Sequence, residues 1–373
     1  MTAGAHRAVQ RLALLVALLA VLSCLVATPG DARERAGAAD AAGTDWRVLL
    51  GRAAGAIRTT AFTGEAISVT WLDGQERVHR SSVRNDPAGE LVLGSDDGTT
   101  VLIGQGGAGL LDSQGGWFLA VPVDTDDPRE AFTALEAKYR VTALSPEQVL
   151  HRSCVLLEIH RRSDGSLRER LWIDEQTGLL LRRETYDGGR SPVRVAAYLS
   201  LDFAPSGFGG DMGPPVATPA QLRRQDALPV GPQGLEALRA AGWTVPEALP
   251  GGYQHMKVYA LSSGEAQPLQ AMYSDGLYHV SVFQQHGGID WASLRPGAQR
   301  AADLDWVAYH WPGSVPSAFV WEAAGRVYAV VGDAPAGDLH AIAQALPRPQ
   351  PPPLGRRLTR GLRRLWSWVS PWS

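Results

Sequence analysis

Between Phe62 and Phe203 the chain offers about ten short runs of alternating residues, each closed by a turn signal. They are Phe62–Leu72, Gln75–Asn85, Glu90–Ser95, Thr99–Gly104, Gly109–Asp112, Trp117–Pro122, Ser153–Arg162, Leu167–Ile173, Leu179–Tyr186 and Arg194–Phe203. Asp73-Gly74, Asp86-Pro87, Asp164-Gly165, Gln176-Thr177-Gly178 and Asp187-Gly188-Gly189 supply turn chemistry between them. Side chains alternate across a strand, so Leu167, Glu169, Leu171 and Ile173 share one face and Arg168, Arg170 and Trp172 the other. Sequential strands with tight turns predict an antiparallel sheet. Two helical patterns accompany it. Trp46–Arg58 repeats Trp46, Leu49, Leu50, Ala53, Ala54 and Ile57 at helical spacing, with Asp45 as its N-cap. Pro128–Lys138 has proline at its first turn and Asp127 as cap. A second short helix is expected after Ser145-Pro146. A strongly curved sheet whose concave face the helices bury satisfies this pattern.

Ala204–Asp226 holds Pro205, Gly209-Gly210, Pro214-Pro215 and Pro219 and reads as a linker. Beyond it, a short helix is expected at Leu235–Ala241. Strands are expected at Gln254–Leu261, Leu269–Tyr273, Tyr278–Gln284, Trp306–Trp311, Pro316–Glu322 and Arg326–Val331, with a closing helix at Asp338–Leu346. This is a smaller α+β domain. At its centre, Ser274-Asp275-Gly276 separates two apolar runs as a hairpin turn. After that turn Tyr278, Val280 and Val282 form one nearly all-apolar face, and Leu277, His279, Ser281 and Phe283 the other.

Two of these hairpins carry a family resemblance. Leu171-Trp172-Ile173-Asp174-Glu175-Gln176-Thr177-Gly178-Leu179, followed by Leu181-Arg182-Arg183-Glu184, resembles the N-terminal domain of the MucB/RseB family, as does Phe62-Thr63-Gly64. Leu180 replaces that hairpin's usual proline. The run from Tyr273 to Phe283 resembles the family's C-terminal domain. The resemblance implies a LolA-like half-barrel plugged by helices, joined to the smaller domain. It further implies an exported regulator that binds a membrane-anchored anti-sigma factor and restrains its proteolysis until a lipidic or envelope signal arrives. The aromatic candidates for a lipid cavity or partner contact are Trp71, Trp117, Phe118, Trp172, Tyr273, Tyr278 and Phe283. The N-terminal motif is shared with LolA-like carriers, so an extracytoplasmic carrier of lipid or lipoprotein is the alternative.

The first residues read as an export signal: Arg7 and Arg11, then the apolar run Leu12–Ala27. Cleavage falls after Ala32 or at Ala36-Gly37-Ala38; retention as an anchor and lipidation at Cys24 are the alternatives. The expected division is 1–32 signal, 33–44 linker, 45–203 N-terminal domain, 204–226 linker, 227–347 C-terminal domain and 348–373 tail. Net charge is −3, but the leader carries +1 and the tail +6, which leaves −10 on the body. An acidic body argues against a nucleic-acid partner. Only Lys138 and Lys257 among 35 basic residues are lysine.

After the proline spacer Pro347–Pro353, the tail places Leu354, Leu358, Leu362, Leu365, Trp366 and Val369 within roughly 120° of a helix. Arg356, Arg357, Arg360, Arg363 and Arg364 take the opposite side, with Trp368 at the boundary. One reading is an in-plane helix on an anionic membrane surface. The other is a helix docked on its own protein, or a disordered tail.

Catalytic and metal patterns are missing from the sequence, and neither enzyme activity nor a cofactor is expected. Gly104–Gly109 matches G-x-G-x-x-G but opens no helix, so it reads as a glycine-rich hairpin loop. His151 and His160 lie on opposite faces around Cys154, which is read as a buried, inert thiol. Of His255, His279, His286 and His310, His279 and His310 are the conceivable cross-strand pair.

Overall fold

A computed structural model describes residues 45–72, 75–86, 91–95, 100–104, 107–111, 117–121, 128–203, 227–261, 268–289, 291, 298–301, 304–310 and 317–349. The expected leader, the two expected linkers, Asp127 and segment 354–369, expected to be an amphipathic helix, lie outside the described residues.

Helix α1 (Trp46–Thr59) starts at Asp45, whose side chain accepts the Arg47 N–H at 3.0 Å. Strands β1 (Phe62–Leu72), β2 (Gln75–Asn85), β3 (Leu91–Ser95), β4 (Thr100–Gly104), β5 (Gly107–Leu111) and β6 (Trp117–Val121) then meander outward, each paired with the last. Helix α2 (Pro128–Lys138) carries the chain to the opposite edge. From there β7 (Tyr139–Val149), β8 (Arg152–Arg161), β9 (Leu167–Asp174), β10 (Leu180–Thr185) and β11 (Arg194–Asp202) return inward until β11 pairs with β1. The result is an open 11-stranded antiparallel half-barrel with β6 and β7 as its edges. Leu49, Leu50 and Ala53 of α1 and Leu135 of α2 pack with Val155, Leu157, Ile159, Leu171 and Ile173. Each such aliphatic side chain contributes about 1.5–3 kcal/mol on burial, and this places both helices on one face of the sheet.

Residues 139–149 correct one expectation. The helix after Ser145-Pro146 is instead part of edge strand β7, with its register broken between Leu144 and Glu147. Proline removes a ladder donor, which an edge strand tolerates at a bulge. Gly104 pairs with Gly107 between β4 and β5, the hairpin expected of that glycine run.

The second sheet contains β12 (Ala227–Pro229), β13 (Ala248–Leu249), β14 (Tyr253–Leu261), β15 (Leu269–Ser274), β16 (His279–His286), β17 (Gln299–Arg300), β18 (Ala308–His310), β19 (Ser317–Ala323) and β20 (Arg326–Gly332). Its strand order is β12-β14-β15-β16-β20-β19-β18-β17, with β13 on β14. Helix α3 (Pro232–Ala240) begins at proline, three residues earlier than expected, and α4 (Ala336–Ala345) closes the domain. One face buries Tyr278, Val280 and Val282 with Leu339 and Ile342 of α4. The other carries Phe283, Val320, Ala329 and Val331, and these belong to a hydrophobic cluster that also holds Leu181 and Tyr198 of the first sheet. The two sheets therefore share a core. His279 and His310 do not form a cross-strand pair, because β20 and β19 lie between their strands.

Candidate functional site

Among the described residues, a dense polar network lies at the junction between the two sheets, and the Ser274–Leu277 turn forms its centre. The turn is closed locally. Ser274 Oγ donates to Tyr278 O and accepts the Gly276 N–H, both at 3.0 Å. Asp275 Oδ1 accepts from Leu277 N at 3.0 Å and Tyr278 N at 2.8 Å. The other carboxylate oxygen crosses the junction, where it pairs with Lys138 of α2 and accepts the Tyr139 hydroxyl at 2.6 Å. The Asp275 side chain is 0% exposed, so its charge is answered entirely by protein groups. Lys138 also lies over the rings of Tyr139 and Tyr253, at 5.2 and 5.0 Å from their centroids. Leu277 packs against the cores of both domains.

A second contact lies one residue beyond Tyr278. Asp333 Oδ1 accepts the His279 N–H at 2.7 Å. Its other oxygen faces Arg183 at 3.5 Å, and its carbonyl accepts from Arg194 at 3.1 Å. Arg183 is held from behind by both oxygens of Glu169, at 2.9 and 3.0 Å. Tyr278 donates its hydroxyl to Arg168 O at 3.4 Å, and Arg161 stands 4.0 Å from Asp338. The N-terminal side of the junction thus presents Lys138, Arg161, Arg168, Arg183 and Arg194 to Asp275, Asp333 and Asp338. Burial, reinforced by Asp275, pushes the Tyr139 and Tyr253 phenols well above their ordinary range. Burial, reinforced by Glu169, does the same to Tyr278. All three stay protonated and serve as donors.

The aromatic candidates are not gathered in one place. Tyr278 is at the junction, and Phe283 is in the cluster shared by both sheets. Tyr273 is inside the C-terminal core with its hydroxyl donating to Pro246 O at 3.0 Å. Trp172 is 6% exposed, donates to Glu147 at 2.8 Å and lies under Arg182. Half-buried Trp71 donates to Glu76 at 3.3 Å, and β11 and β10 separate its strand from that of Trp172. The side chains of Trp117 and Phe118 lie outside those described. Cys154 is buried, and burial pushes its thiol up to about 11. Among the described residues no group of three or more His, Cys, Asp or Glu is placed to hold a metal, and no helix is long and apolar enough to cross a membrane.

Residues 117–225 match the profile of the MucB/RseB N-terminal domain. Over this stretch the chain is similar to the MucB/RseB N-terminal domain. The match covers β6 through β11, including the Asp174–Gly178 hairpin of the MucB/RseB resemblance. No curated protein matches the chain significantly. Similar solved structures include the Pseudomonas aeruginosa MucA/MucB complex, 21% identical over 83% of this chain and 100% of that one, with a TM-score of 0.47. A crystal structure of MucB is 18% identical over 85% of this chain and 98% of that one, with a TM-score of 0.46. A LolA superfamily protein from Nitrosomonas europaea is 12% identical over 42% of this chain and 92% of that one, with a TM-score of 0.21.

Sequence reasoning located the Asp275-Gly276 turn but not its partners. One signal pointed to Lys138: it is one of two lysines in an arginine-rich chain. A compact ammonium between two tyrosine rings and one buried carboxylate suits lysine better than a planar guanidinium.

Proposed function

We propose that this chain is an extracytoplasmic regulatory protein that binds a membrane-anchored anti-sigma factor. In this reading it modulates that factor's proteolysis in response to a lipidic or envelope-stress signal. The observation that carries the reading is the match of residues 117–225 to the MucB/RseB N-terminal domain. The second domain, whose central hairpin resembles that family's C-terminal domain, is docked against it through a preformed polar junction. A leader of export type and a basic amphipathic tail fit a site at the outer face of the cytoplasmic membrane. Tethering there raises the effective concentration of a membrane partner without any new contact.

The test is a pulldown from native membranes with the full chain as bait. Recovery of a single-span protein with a sigma-factor-binding cytoplasmic part is the expected result. A stoichiometric lipid with no protein partner would overturn this reading and favour a carrier. Flotation with anionic vesicles checks the tail separately: removal of residues 354–373 is expected to abolish binding, and unchanged binding would exclude the membrane helix.

A further inference from the structure

We propose that the domain junction is a two-point latch that closes and opens as one unit. The first point is the 274–277 turn seated on α2. The second is Asp333 seated on Arg183 and Arg194. Both hang on one short piece of backbone. Asp275 N donates to Tyr278 O at 3.3 Å, and its carboxylate accepts from Leu277 N and Tyr278 N. The next residue, His279, donates to Asp333 Oδ1 at 2.7 Å and accepts from Asp333 N at 3.3 Å. Between the two points Tyr278 is fully buried, with its hydroxyl on Arg168 O. Displacing Asp333 from Arg183 therefore pulls on His279, and through it on the Asp275 turn.

Each half of the latch is organised by its own domain. Backbone N–H groups of the C-terminal domain orient both carboxylates. On the other side Glu169 fixes Arg183, and Thr185 accepts from Arg194 at 3.2 Å. Groups that are already oriented lose little freedom on docking. A half-open arrangement, by contrast, leaves one set of charges desolvated and without its partner, which is costly. Half-open arrangements are thus disfavoured, and the two points part together along with the cluster that Phe283 and Val331 share with Leu181 and Tyr198. This inference concerns the chain alone and does not depend on what the protein binds.

Hydrogen exchange on the full chain tests it, with Arg183→Gln and Gly276→Ala. The latch predicts that Arg183→Gln, made at the Asp333 point, also removes protection from the amides of Leu277 and Tyr278. Reciprocally, Gly276→Ala removes protection from His279 and Asp333. Amides of β8–β9 and β19–β20 stay protected in both, which shows that each sheet remains folded. If Arg183→Gln instead unfolds the first sheet by stranding Glu169, Asp333→Asn replaces it, since it keeps an acceptor for His279. Loss of protection confined to the mutated point in either direction would overturn the latch and leave two independent contacts.

Discussion

Asp174 and Asp275 each begin a hairpin turn that contains a left-handed glycine and rests on a helix, but the two carboxylates are used differently. Asp174 accepts from Thr177 N at 2.7 Å, from Thr177 Oγ1 at 2.6 Å and from Arg152 through two bonds of 2.9 Å. Every partner belongs to its own sheet. Asp275 uses one oxygen for its own turn and sends the other across the junction to Lys138 and Tyr139. The glycines differ in the same sense. Gly178 has φ +80°, and a Cβ there would lie 3.3 Å from Arg52 O of α1, a tight but adjustable contact. Gly276 has φ +87°, and a Cβ there would lie 2.2 Å from Leu135 N of α2, which backbone cannot accommodate. One turn chemistry thus fastens a hairpin within a domain and, in the second case, fastens two domains together.

The strongest way to break this comparison is Gly276→Ala. The left-handed conformation alone costs a non-glycine residue about 1–2 kcal/mol. Forcing the turn away from α2 adds about 1–3 kcal/mol of overpacking. We expect a loss of about 3–4 kcal/mol in denaturant unfolding and an increased radius of gyration in small-angle scattering. A variant as compact and as stable as the parent would show that the glycine does not set the junction.

Asp275→Asn comes next. Removing one member of a buried ion pair costs about 3–5 kcal/mol. Lys138 keeps 21% of its side chain exposed and can partly resolvate, so the lower end, about 3 kcal/mol, is expected. Asp174→Asn is the control: its pair with Arg152 is buried to the same degree, so a similar loss of about 3 kcal/mol is expected. Only Asp275→Asn should increase the radius of gyration in small-angle scattering while leaving each sheet intact. An equal increase in the two variants would remove the distinction between them. Gly178→Ala is smaller again, about 1–2 kcal/mol from backbone conformation, with no change in scattering.

The first sheet was largely legible because its strands alternate and its turns carry Asp-Gly chemistry. β1, β2 and α2 fall at their expected limits. Tyr139, Val141 and Ala143 also alternate, but Ser145-Pro146 carries the signal of a helix start. An edge strand accepts a proline that a central strand would not. The junction was less legible for a different reason. Asp275 and Lys138 are 137 residues apart, and turn propensity is a local property that says nothing about distant partners. Asp333, just past β20, carries no turn signature that would separate it from a solvated aspartate. The described aromatic candidates lie apart: size and hydrophobicity report burial, and Trp172 and Tyr273 are buried in different places.

The smallest effect is in acid, and it bears on the Asp174 turn alone. Burial pushes its carboxyl up, but the Arg152 guanidinium and the Thr177 hydroxyl and N–H outweigh burial and hold it below the usual range. Its folded value is therefore lower than the value of about 3.9 in an unfolded chain. A depressed carboxyl stabilises the fold above the unfolded value, and that stabilisation is lost as pH falls through the folded one. Unfolding midpoints measured from about pH 5 to pH 2 should decline less steeply in Asp174→Asn than in the parent, and the difference should vanish at the acid end. Thr177→Val, which removes one of the four bonds, should fall between them. An acid slope unchanged by either substitution would show that Arg152 and Thr177 only position the hairpin, leaving Asp174 with the same role in orientation but none in acid stability.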